Sequence, residues 1–185
     1  MTLAATERSK YRECWSYSQY RHYSPGEWAL PIFREINRKK GSLIDLGCGT
    51  GRAGAALSDD GYEVTLLDFA DNCRDFEVKE KGLSFIRSNL WTRWSGDWDI
   101  GYCCDVMEHI PPEKCEAALK RIFANCVRVF FTIHFGPDNF GQTVGHPLHL
   151  NVQPFTWWRD KLAEHGKVVH ARDLIGIGAF LVEPS

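Results

Sequence analysis

The stretch SLIDLGCGTGRAG, residues 42–54, decides the fold of this 185-residue chain. Ser42–Leu46 is a short apolar run with a single acid, Asp45, which is typical of a buried strand. Glycines then alternate with other residues, at Gly47, Gly49 and Gly51. The segment Arg52–Ser58 predicts a helix. A strand that enters a helix through a glycine turn presents free backbone N–H groups and the positive end of a helix dipole to a ligand.

The rest of the chain alternates between predicted strands and predicted helices. Further strands are predicted at residues 63–68, 83–88, 97–105, 127–134, 167–173 and 176–183. Helices are predicted at residues 11–24, 28–38, 72–80, 111–126 and 154–166, the last with Gly166 as its C-cap. This alternation predicts an α/β fold with a doubly wound, mostly parallel, seven-stranded sheet.

Composition and charge restrict the possible partners. Lys plus Arg total 22 against 24 for Asp plus Glu, so the net charge of −2 does not favour binding to nucleic acid or anionic membranes. The first ten residues lack a secretory apolar segment, and no apolar run reaches the ~20 residues of a membrane helix. Seven cysteines without a C-x-x-C pair favour free thiols in a reducing cytoplasm. We expect a cytoplasmic protein with neither DNA nor membrane partners; the oligomeric state is left open.

Two well-known phosphate-binding loops fit the glycine turn poorly. A P-loop needs Lys and then Ser or Thr after its last glycine, but Ala55 and Ala56 follow Gly54. A dinucleotide fingerprint needs a third glycine where Arg52 stands, and that side chain would impede close packing of helix on sheet. The P-loop is therefore excluded, whereas a nucleotide-dependent oxidoreductase stays open as an alternative.

What remains is the pattern Asp-x-Gly-x-Gly-x-Gly, Asp45–Gly51, with Asp68 seventeen residues beyond it at the end of the next strand. An acid at that position can accept both hydroxyls of a ribose. LIDLGCGTG followed by VTLLDFA resembles the class I S-adenosylmethionine-dependent methyltransferases, and the resemblance spans residues 40–182. It implies a Rossmann-like methyltransferase fold, S-adenosyl-L-methionine as the cofactor, and methyl transfer as the activity.

The resemblance also implies which residues hold the cofactor. The glycine turn packs against the methionine part, Asp68 binds the ribose, and Phe69 flanks the adenine. Asn89 and Leu90 lie near the adenine edge, although many members of the family have Asp where this chain has Asn89. The full expected set is Asp45, Gly47, Cys48, Gly49, Gly51, Asp68, Phe69, Asn89, Leu90, Cys104, Asp105 and Arg21.

The methyl acceptor is less well specified. The segment YCCDVMEHIPPE would place Cys104 and Asp105 below the sulfonium. The chain lacks the Asn/Asp-Pro-Pro-aromatic signature of adenine methylation and the Pro-Cys dipeptide used on cytosine. Because the sulfonium already makes the methyl group electrophilic, transfer depends mainly on positioning, and a base is needed only where the acceptor loses a proton.

Histidines near the strand ends are the candidates for that base. His134 ends the fifth strand, and His146 and His149 lie in the loop beyond it, where open α/β sheets place ligands. We predict His134 and His146 as catalytic residues, as base or acceptor contact; the alternative is structural hydrogen bonding within a long loop. No metal site is expected, because no carboxylate or cysteine neighbours these histidines in sequence. Glu108 and His109 are expected to shape the turn into the next helix.

The N-terminal segment is rich in aromatic residues and predicts a cover for the site. We expect one methyltransferase domain, 1–185, with a helical extension or lid (1–40) before the cofactor-binding core (41–185). The aromatic rings could exclude water and stack on the sulfonium, and Arg21 could pair with the cofactor carboxylate. Alternatively, the aromatic residues only pack the extension onto the core.

These features predict a methyltransferase that moves a methyl group from S-adenosylmethionine to an oxygen or nitrogen atom of a small-molecule or glycan-type acceptor. Near-neutral charge and the missing DNA signatures favour a small acceptor. The alternatives are a protein or RNA methyltransferase and a non-catalytic S-adenosylmethionine-binding module.

Overall fold

A computed structural model of the protein, which describes residues 2–184, contains a seven-stranded sheet. The strands are β1 (Ser42–Leu46), β2 (Glu63–Asp68), β3 (Ser84–Arg87), β4 (Ile100–Cys104), β5 (Val129–His134), β6 (Gly166–Asp173) and β7 (Ile177–Pro184). They lie in the order β3-β2-β1-β4-β5-β7-β6. The first five pair in parallel, and β7 pairs antiparallel with β5 and β6. The predicted doubly wound, mostly parallel, seven-stranded sheet is confirmed.

The strand order changes direction at β1. From β1 the sheet extends through β2 to β3, and the chain then returns to place β4 on the opposite side of β1. The carboxyl ends of β1 and β4 therefore border a crevice, which is where open α/β sheets bind ligands. The glycine turn follows Leu46, and the DVMEH segment follows Cys104, so both predicted motifs begin at this edge.

Helices cover both faces of the sheet. They are α1 (Leu3–Cys14), α2 (Ser18–His22), α3 (Pro25–Ile36), α4 (Arg52–Asp59), α5 (Phe76–Glu80), α6 (Pro112–Phe123), α7 (Gly141–Val144) and α8 (Phe155–Ala163). A 3-10 turn spans Met107–His109. One apolar cluster packs α3 and α4 against the sheet, and another packs α6 and α8. All five residues of β4 are buried, as expected for a strand covered on both faces.

Four local predictions differ from the structure. The N-terminal helix is divided into α1 and α2, and the helix predicted at 72–80 is confined to α5. Pro25 begins α3 instead of ending a helix, because proline at the first helical position sacrifices no helical N–H bond. Gly166 is not the C-cap of α8, where Glu164 occupies that position. Gly166 opens β6, where a Cβ would lie 2.3 Å from the Glu183 carbonyl oxygen.

The N-terminal helices pack over the carboxyl edge of the sheet. Tyr11 and Cys14 of α1 form an apolar cluster with Ala70 and Cys73 after β2, and with Leu148 beyond β5. This cluster joins the first helix to two loops that border the crevice. Among residues 2–184, no helix combines the length and the apolar character needed to cross a membrane.

Candidate active site

A cavity of about 520 Å³ lies at the carboxyl edge of the sheet, beneath the N-terminal helices. The predicted site residues that line it are Asp45, Gly47, Cys48, Gly49, Asp68, Phe69, Asn89, Leu90, Cys104, Asp105 and His134. Gly51, Arg21 and His146 do not belong to its lining. Small-molecule sites span roughly 300–1,000 Å³, so this space has the size of such a site.

The glycine turn forms the wall of the cavity next to β1. Gly47 and Gly49 have φ angles of 73° and 51°, in the left-handed region that glycine adopts most readily. A Cβ on Gly49 would lie 2.8 Å from the Trp15 ring, and one on Gly47 would lie 2.7 Å from Val106. The N–H of Gly47 donates to the Leu67 carbonyl at 2.8 Å. The turn therefore requires glycine both for its backbone angles and for the side chains packed over it.

Asp68, the last residue of β2, is oriented by the backbone. Its Oδ2 accepts a hydrogen bond from the Gly49 N–H at 3.0 Å, and its Oδ1 accepts one from the Ala70 N–H at 2.9 Å. Burial raises the pKa of Asp68 to about 6, against the opposing effect of these N–H donors. Each carboxylate oxygen keeps a further lone pair, so two ribose hydroxyls can still donate to it.

Asp45 in β1 has an oxygen without a partner. The side chain is buried, and its Oδ2 accepts no hydrogen bond. Burial raises the pKa of Asp45 to about 7; the Gly54 N–H opposes this rise, and the Asp68 charge adds to it. Because Asp45 lines the cavity, its carboxylate can attract a cationic group on a ligand.

The part of the cavity that follows β3 presents an amide and an aromatic ring. Asn89 is buried, and its Oδ1 accepts the backbone N–H of Thr92 at 2.9 Å. The amide nitrogen is therefore the part of Asn89 that can meet a ligand, as a hydrogen-bond donor. Phe69 packs against Tyr11, with ring centroids 5.5 Å apart. This part of the cavity is suited to a flat heterocycle that carries acceptor nitrogens.

An aromatic lid, formed by Tyr11, Trp15, Tyr20 and Tyr23, lines the cavity from the N-terminal side. Trp15 and Tyr20 meet edge to face, with ring centroids 4.7 Å apart. The Trp15 ring lies directly over the glycine turn. Burial of both tyrosine hydroxyls raises the pKa values of Tyr11 and Tyr20 well above the ordinary value, so both hydroxyls remain protonated at neutral pH.

Arg21 fastens this lid to the loop after β2. Its guanidinium donates to the carbonyl oxygens of Trp15 (3.0 Å), Asn72 (3.0 Å) and Cys73 (2.8 Å). It also forms an ion pair with Asp75 at 2.7 Å. Two of these bonds reach the carbonyl groups of Asn72 and Cys73, which lie just before α5. They also engage the guanidinium that the sequence assigns to the cofactor carboxylate.

Three histidines and two carboxylates meet at the end of the cavity near Tyr11. This cluster, called the histidine cluster below, consists of Asp105, Glu108, His109, His134 and His149. The ring centroids of His109 and His149 lie 4.6 Å apart, and those of His134 and His149 lie 5.2 Å apart. All its members except Glu108 line the cavity.

Backbone contacts fix the proton positions on two of these rings. His149 Nδ1 lies 2.6 Å from the Gly136 carbonyl oxygen, so Nδ1 carries the proton and Nε2 keeps its lone pair. His134 Nδ1 instead accepts the Gly136 N–H at 3.1 Å, which leaves the proton of a neutral ring on Nε2. Burial, with the neighbouring His109, lowers the pKa of His149 and favours its neutral ring. His149 therefore suits proton or metal binding, whereas His134 suits donation to an acceptor atom.

The two carboxylates enter the cluster from the segment after β4. Glu108 is fully buried; its Oε1 accepts the His134 N–H at 2.6 Å, and its Oε2 has no partner. Its carbonyl oxygen accepts the N–H groups of Leu150 and Asn151, both at 2.8 Å. Glu108 thus shapes the turn, as expected, but its carboxylate also belongs to the cluster. Asp105 has a φ of 59°, in the left-handed region.

The sequence favours a turn-shaping role for Glu108 and His109 over a functional one, and it predicts His146 as the catalytic histidine of the loop. In the structure His146 is exposed, while His149 turns into the cavity. The available signal was the spacing Asp105-x-x-Glu108-His109, because residues three and four apart share a face of a helical turn.

Comparison with known proteins identifies the family. A family model described as a methyltransferase domain matches residues 17–178. The chain is 28% identical over 110 residues to a putative methyltransferase, YqeM, of Bacillus subtilis, covering 55% of this chain and 42% of that protein. It is 26% identical over 124 residues to a ubiquinone biosynthesis O-methyltransferase of Bordetella avium, covering 62% and 51%. The chain spans about half the length of these curated relatives.

Solved structures share the fold at low sequence identity. The PH0226 protein from Pyrococcus horikoshii has a TM-score of 0.73 at 15% identity, covering 92% of this chain and 93% of that one. A DhpI–SAH complex has a TM-score of 0.73 at 19% identity, covering 99% and 97%. Magnesium protoporphyrin IX methyltransferase from Synechocystis with bound SAH has a TM-score of 0.67 at 17% identity, covering 99% and 96%.

Proposed function

We propose that this chain, which belongs to the methyltransferase-domain family and is an S-adenosylmethionine-dependent methyltransferase, methylates an oxygen or nitrogen atom of a small-molecule or glycan-type acceptor. The observation that carries the proposal is the continuity of the cavity. The glycine turn and Asp68 border the same cavity as the histidine cluster, under one aromatic lid. A space of about 520 Å³ leaves little room for a macromolecular acceptor other than a protruding side chain or base.

The contacts of the cofactor follow from the hydrogen-bonding groups that the site leaves free. The ribose hydroxyls donate to Asp68, whose oxygens retain lone pairs. The amine of the methionine part meets the carboxylate of Asp45, which lines the cavity. The adenine lies between Phe69 and the Asn89 amide, which donates to a ring nitrogen. This arrangement directs the methyl group toward Asp105 and the histidine cluster.

The reaction is a displacement at the methyl carbon. The acceptor atom forms a bond to that carbon as the carbon–sulfur bond breaks, and the electron pair stays on sulfur to give S-adenosylhomocysteine. A hydroxyl acceptor also loses its proton. His149 Nε2 is the free lone pair of the cluster that can receive the proton, and His134 Nε2–H can orient the acceptor oxygen.

Calorimetric titration with S-adenosylhomocysteine tests the cofactor end. Asp68→Ala should weaken binding by about 1–3 kcal/mol, the scale of lost hydrogen bonds to a charged group, while Asp59→Ala on the exposed end of α4 should not.

Radiolabelled methyl transfer into fractionated cell extract tests the acceptor. Label in the low-mass or glycan fraction supports the proposal. Label confined to protein or RNA contradicts the acceptor class, and binding of NAD in place of S-adenosylhomocysteine contradicts the activity.

A further inference from the structure

We propose that Asp105, Glu108, His109 and His149 form a binding site for one divalent cation of the first transition row. Each residue offers a ligand atom, and these four atoms all lie within 4.8 Å of one another. No carboxylate or cysteine neighbours the loop histidines along the chain, which is why the sequence predicts no metal site. The fold instead supplies two carboxylates and one imidazole from the turn after β4, and the second imidazole from the loop after β5.

The outer nitrogens of both imidazoles are already held as metal-binding histidines require. A metal-bound histidine almost always donates its other N–H to a carbonyl or carboxylate, which fixes the ring. His149 Nδ1 donates to the Gly136 carbonyl at 2.6 Å. His109 Nδ1 lies 3.1 Å from the Leu148 carbonyl and 2.7 Å from the Tyr11 hydroxyl. His149 therefore presents an Nε2 lone pair, and His109 does so in the tautomer whose Nδ1–H donates to the Leu148 carbonyl.

The carboxylates supply an independent indication. Glu108 is fully buried, and its Oε2 has no hydrogen-bond partner although its Oε1 is held by the His134 N–H. Leaving such an oxygen unpaired in the interior destabilises the folded protein, and a cation would satisfy it. His109 Nε2 lies 3.8 Å from Asp105 Oδ2. This distance is too long for a hydrogen bond, but two ligands at about 2.0–2.2 Å from one ion are separated by up to about 4.4 Å.

Two other clusters among the described residues lack these properties. Glu116, Glu164 and His165 lie at the surface, where the Lys161 ammonium neutralises both carboxylates at 2.6 and 2.7 Å. Cys48, Asp68 and Cys73 lie at the cofactor end, where both Asp68 oxygens already accept N–H donors. The histidine cluster alone of these three joins two outer-held imidazoles to an unpartnered buried carboxylate oxygen. Mixed nitrogen and oxygen ligands suit manganese, iron, cobalt or zinc.

The consequence for the acceptor rests on the proposed function. Four protein ligands leave two positions on a six-coordinate ion, and a chelating acceptor can fill both when they are neighbours. An acceptor with two adjacent oxygens, such as a vicinal diol, a catechol or an α-hydroxy acid, would fill both. A coordinated hydroxyl has a lowered pKa, so it would release its proton to water and attack the methyl carbon without His149 as base.

Manganese titration of the ligand-free protein at pH 7.5, followed by electron paramagnetic resonance, tests the site directly. Mn²⁺ avoids the cysteine cluster, because hard cations prefer oxygen and nitrogen ligands. We expect one bound Mn²⁺ per chain, with nitrogen couplings from coordinated imidazole in the spin-echo spectrum. Glu108→Gln keeps an oxygen for the His134 N–H and should weaken Mn²⁺ binding at least about tenfold. Glu164→Gln, the control in the surface cluster, should leave the affinity unchanged.

Thermal unfolding without metal establishes whether the variant folds. If Glu108→Gln is unfolded, His149→Ala, which changes a half-buried loop residue, replaces it and should abolish one nitrogen coupling. The proposal is overturned if no Mn²⁺ binds, if Mn²⁺ binds without nitrogen couplings, or if neither variant changes the binding. S-adenosylhomocysteine titration of the same samples separates the two hypotheses. Manganese without cofactor binding contradicts only the proposed function, and cofactor binding without manganese contradicts only the metal site.

Discussion

Cofactor affinity should depend on pH through Asp45, and the Asp45→Asn variant tests this. Asp45 is 4% exposed, its Oδ2 has no partner, and burial raises its pKa to about 7. The nearby Asp68 has a pKa of about 6 for the same reason. If the amine of the cofactor pairs with ionised Asp45, acidification protonates the partner and weakens binding. The Asn side chain keeps the shape of the group but has no charge to lose.

The magnitude follows from the two pKa values. Between pH 8 and pH 5.5 the ionised fraction of a group with a pKa of 7 falls about 30-fold, and that of a group with a pKa of 6 falls about 4-fold. Binding that requires both carboxylates should therefore weaken by about 100-fold in the wild type. In Asp45→Asn only the 4-fold effect of Asp68 should remain. At pH 8 the variant should bind about 10- to 100-fold more weakly, the scale of a lost hydrogen bond to a charged group.

As pH rises, the stability of the ligand-free protein should fall, whereas its affinity for the cofactor should rise. Because burial raises both carboxyl pKa values above the unfolded value of 3.8, the folded protein binds more protons than the unfolded chain between about pH 4 and 7. The contribution of Asp45 and Asp68 to the free energy of unfolding therefore falls as pH rises through this window. Asp45→Asn removes a buried charge and should raise the melting temperature of the ligand-free protein at pH 8.

Calorimetric titration with S-adenosylhomocysteine at pH 8.0 and 5.5, in buffers of different ionisation enthalpy, measures both the affinity and the protons exchanged. Thermal unfolding of the same proteins gives the stability. The prediction is refuted if Asp45→Asn binds S-adenosylhomocysteine at pH 8 as tightly as the wild type does. It is also refuted if the affinity of the variant falls as steeply between pH 8.0 and 5.5. A variant that is also less stable would show that Asp45 serves the fold and not the ligand.

Two further substitutions test the packing around the cofactor end. Gly54→Ala would place a Cβ 2.3 Å from Leu66 and 3.0 Å from Asp45 Oδ2, so urea unfolding should show a loss of about 1–3 kcal/mol; an unchanged midpoint would mean that α4 shifts freely. Arg21→Ala removes three bonds that fasten the lid to the loop after β2 and one bond within the lid, so amide hydrogen exchange in α1 and α2 should accelerate about tenfold or more. Arg34→Ala, which breaks an exposed ion pair, is the control; equal exchange in both variants would refute the role of Arg21.

The cofactor end could be predicted from the sequence because its determinants are local. The glycine turn, the acid in β1 and the acid at the end of β2 follow one another within Asp45–Asp68, and the strand–helix alternation fixes which edge they occupy. The acceptor end depends on a loop whose path no local pattern gives. Asp138 accepts the N–H groups of Leu148 and His149 at 2.8 and 3.3 Å, which directs His149 inward. His146, a better candidate by sequence position alone, is left at the surface.

A buried carboxylate lies at each end of the site, Asp45 in the lining of the cavity and Glu108 within the histidine cluster but outside that lining. Asp45 Oδ2 lies unpartnered at the cofactor end, and Glu108 Oε2 lies unpartnered in the histidine cluster. Burial raises the pKa of both groups, so each favours its neutral form when no cation is near. A structural role would be better served by a partner supplied within the fold, as Gly49 and Ala70 supply one for each Asp68 oxygen. These buried carboxylates are complementary to positive charge brought from outside, which is the ammonium group of the proposed cofactor contact at one end and the proposed metal cation at the other.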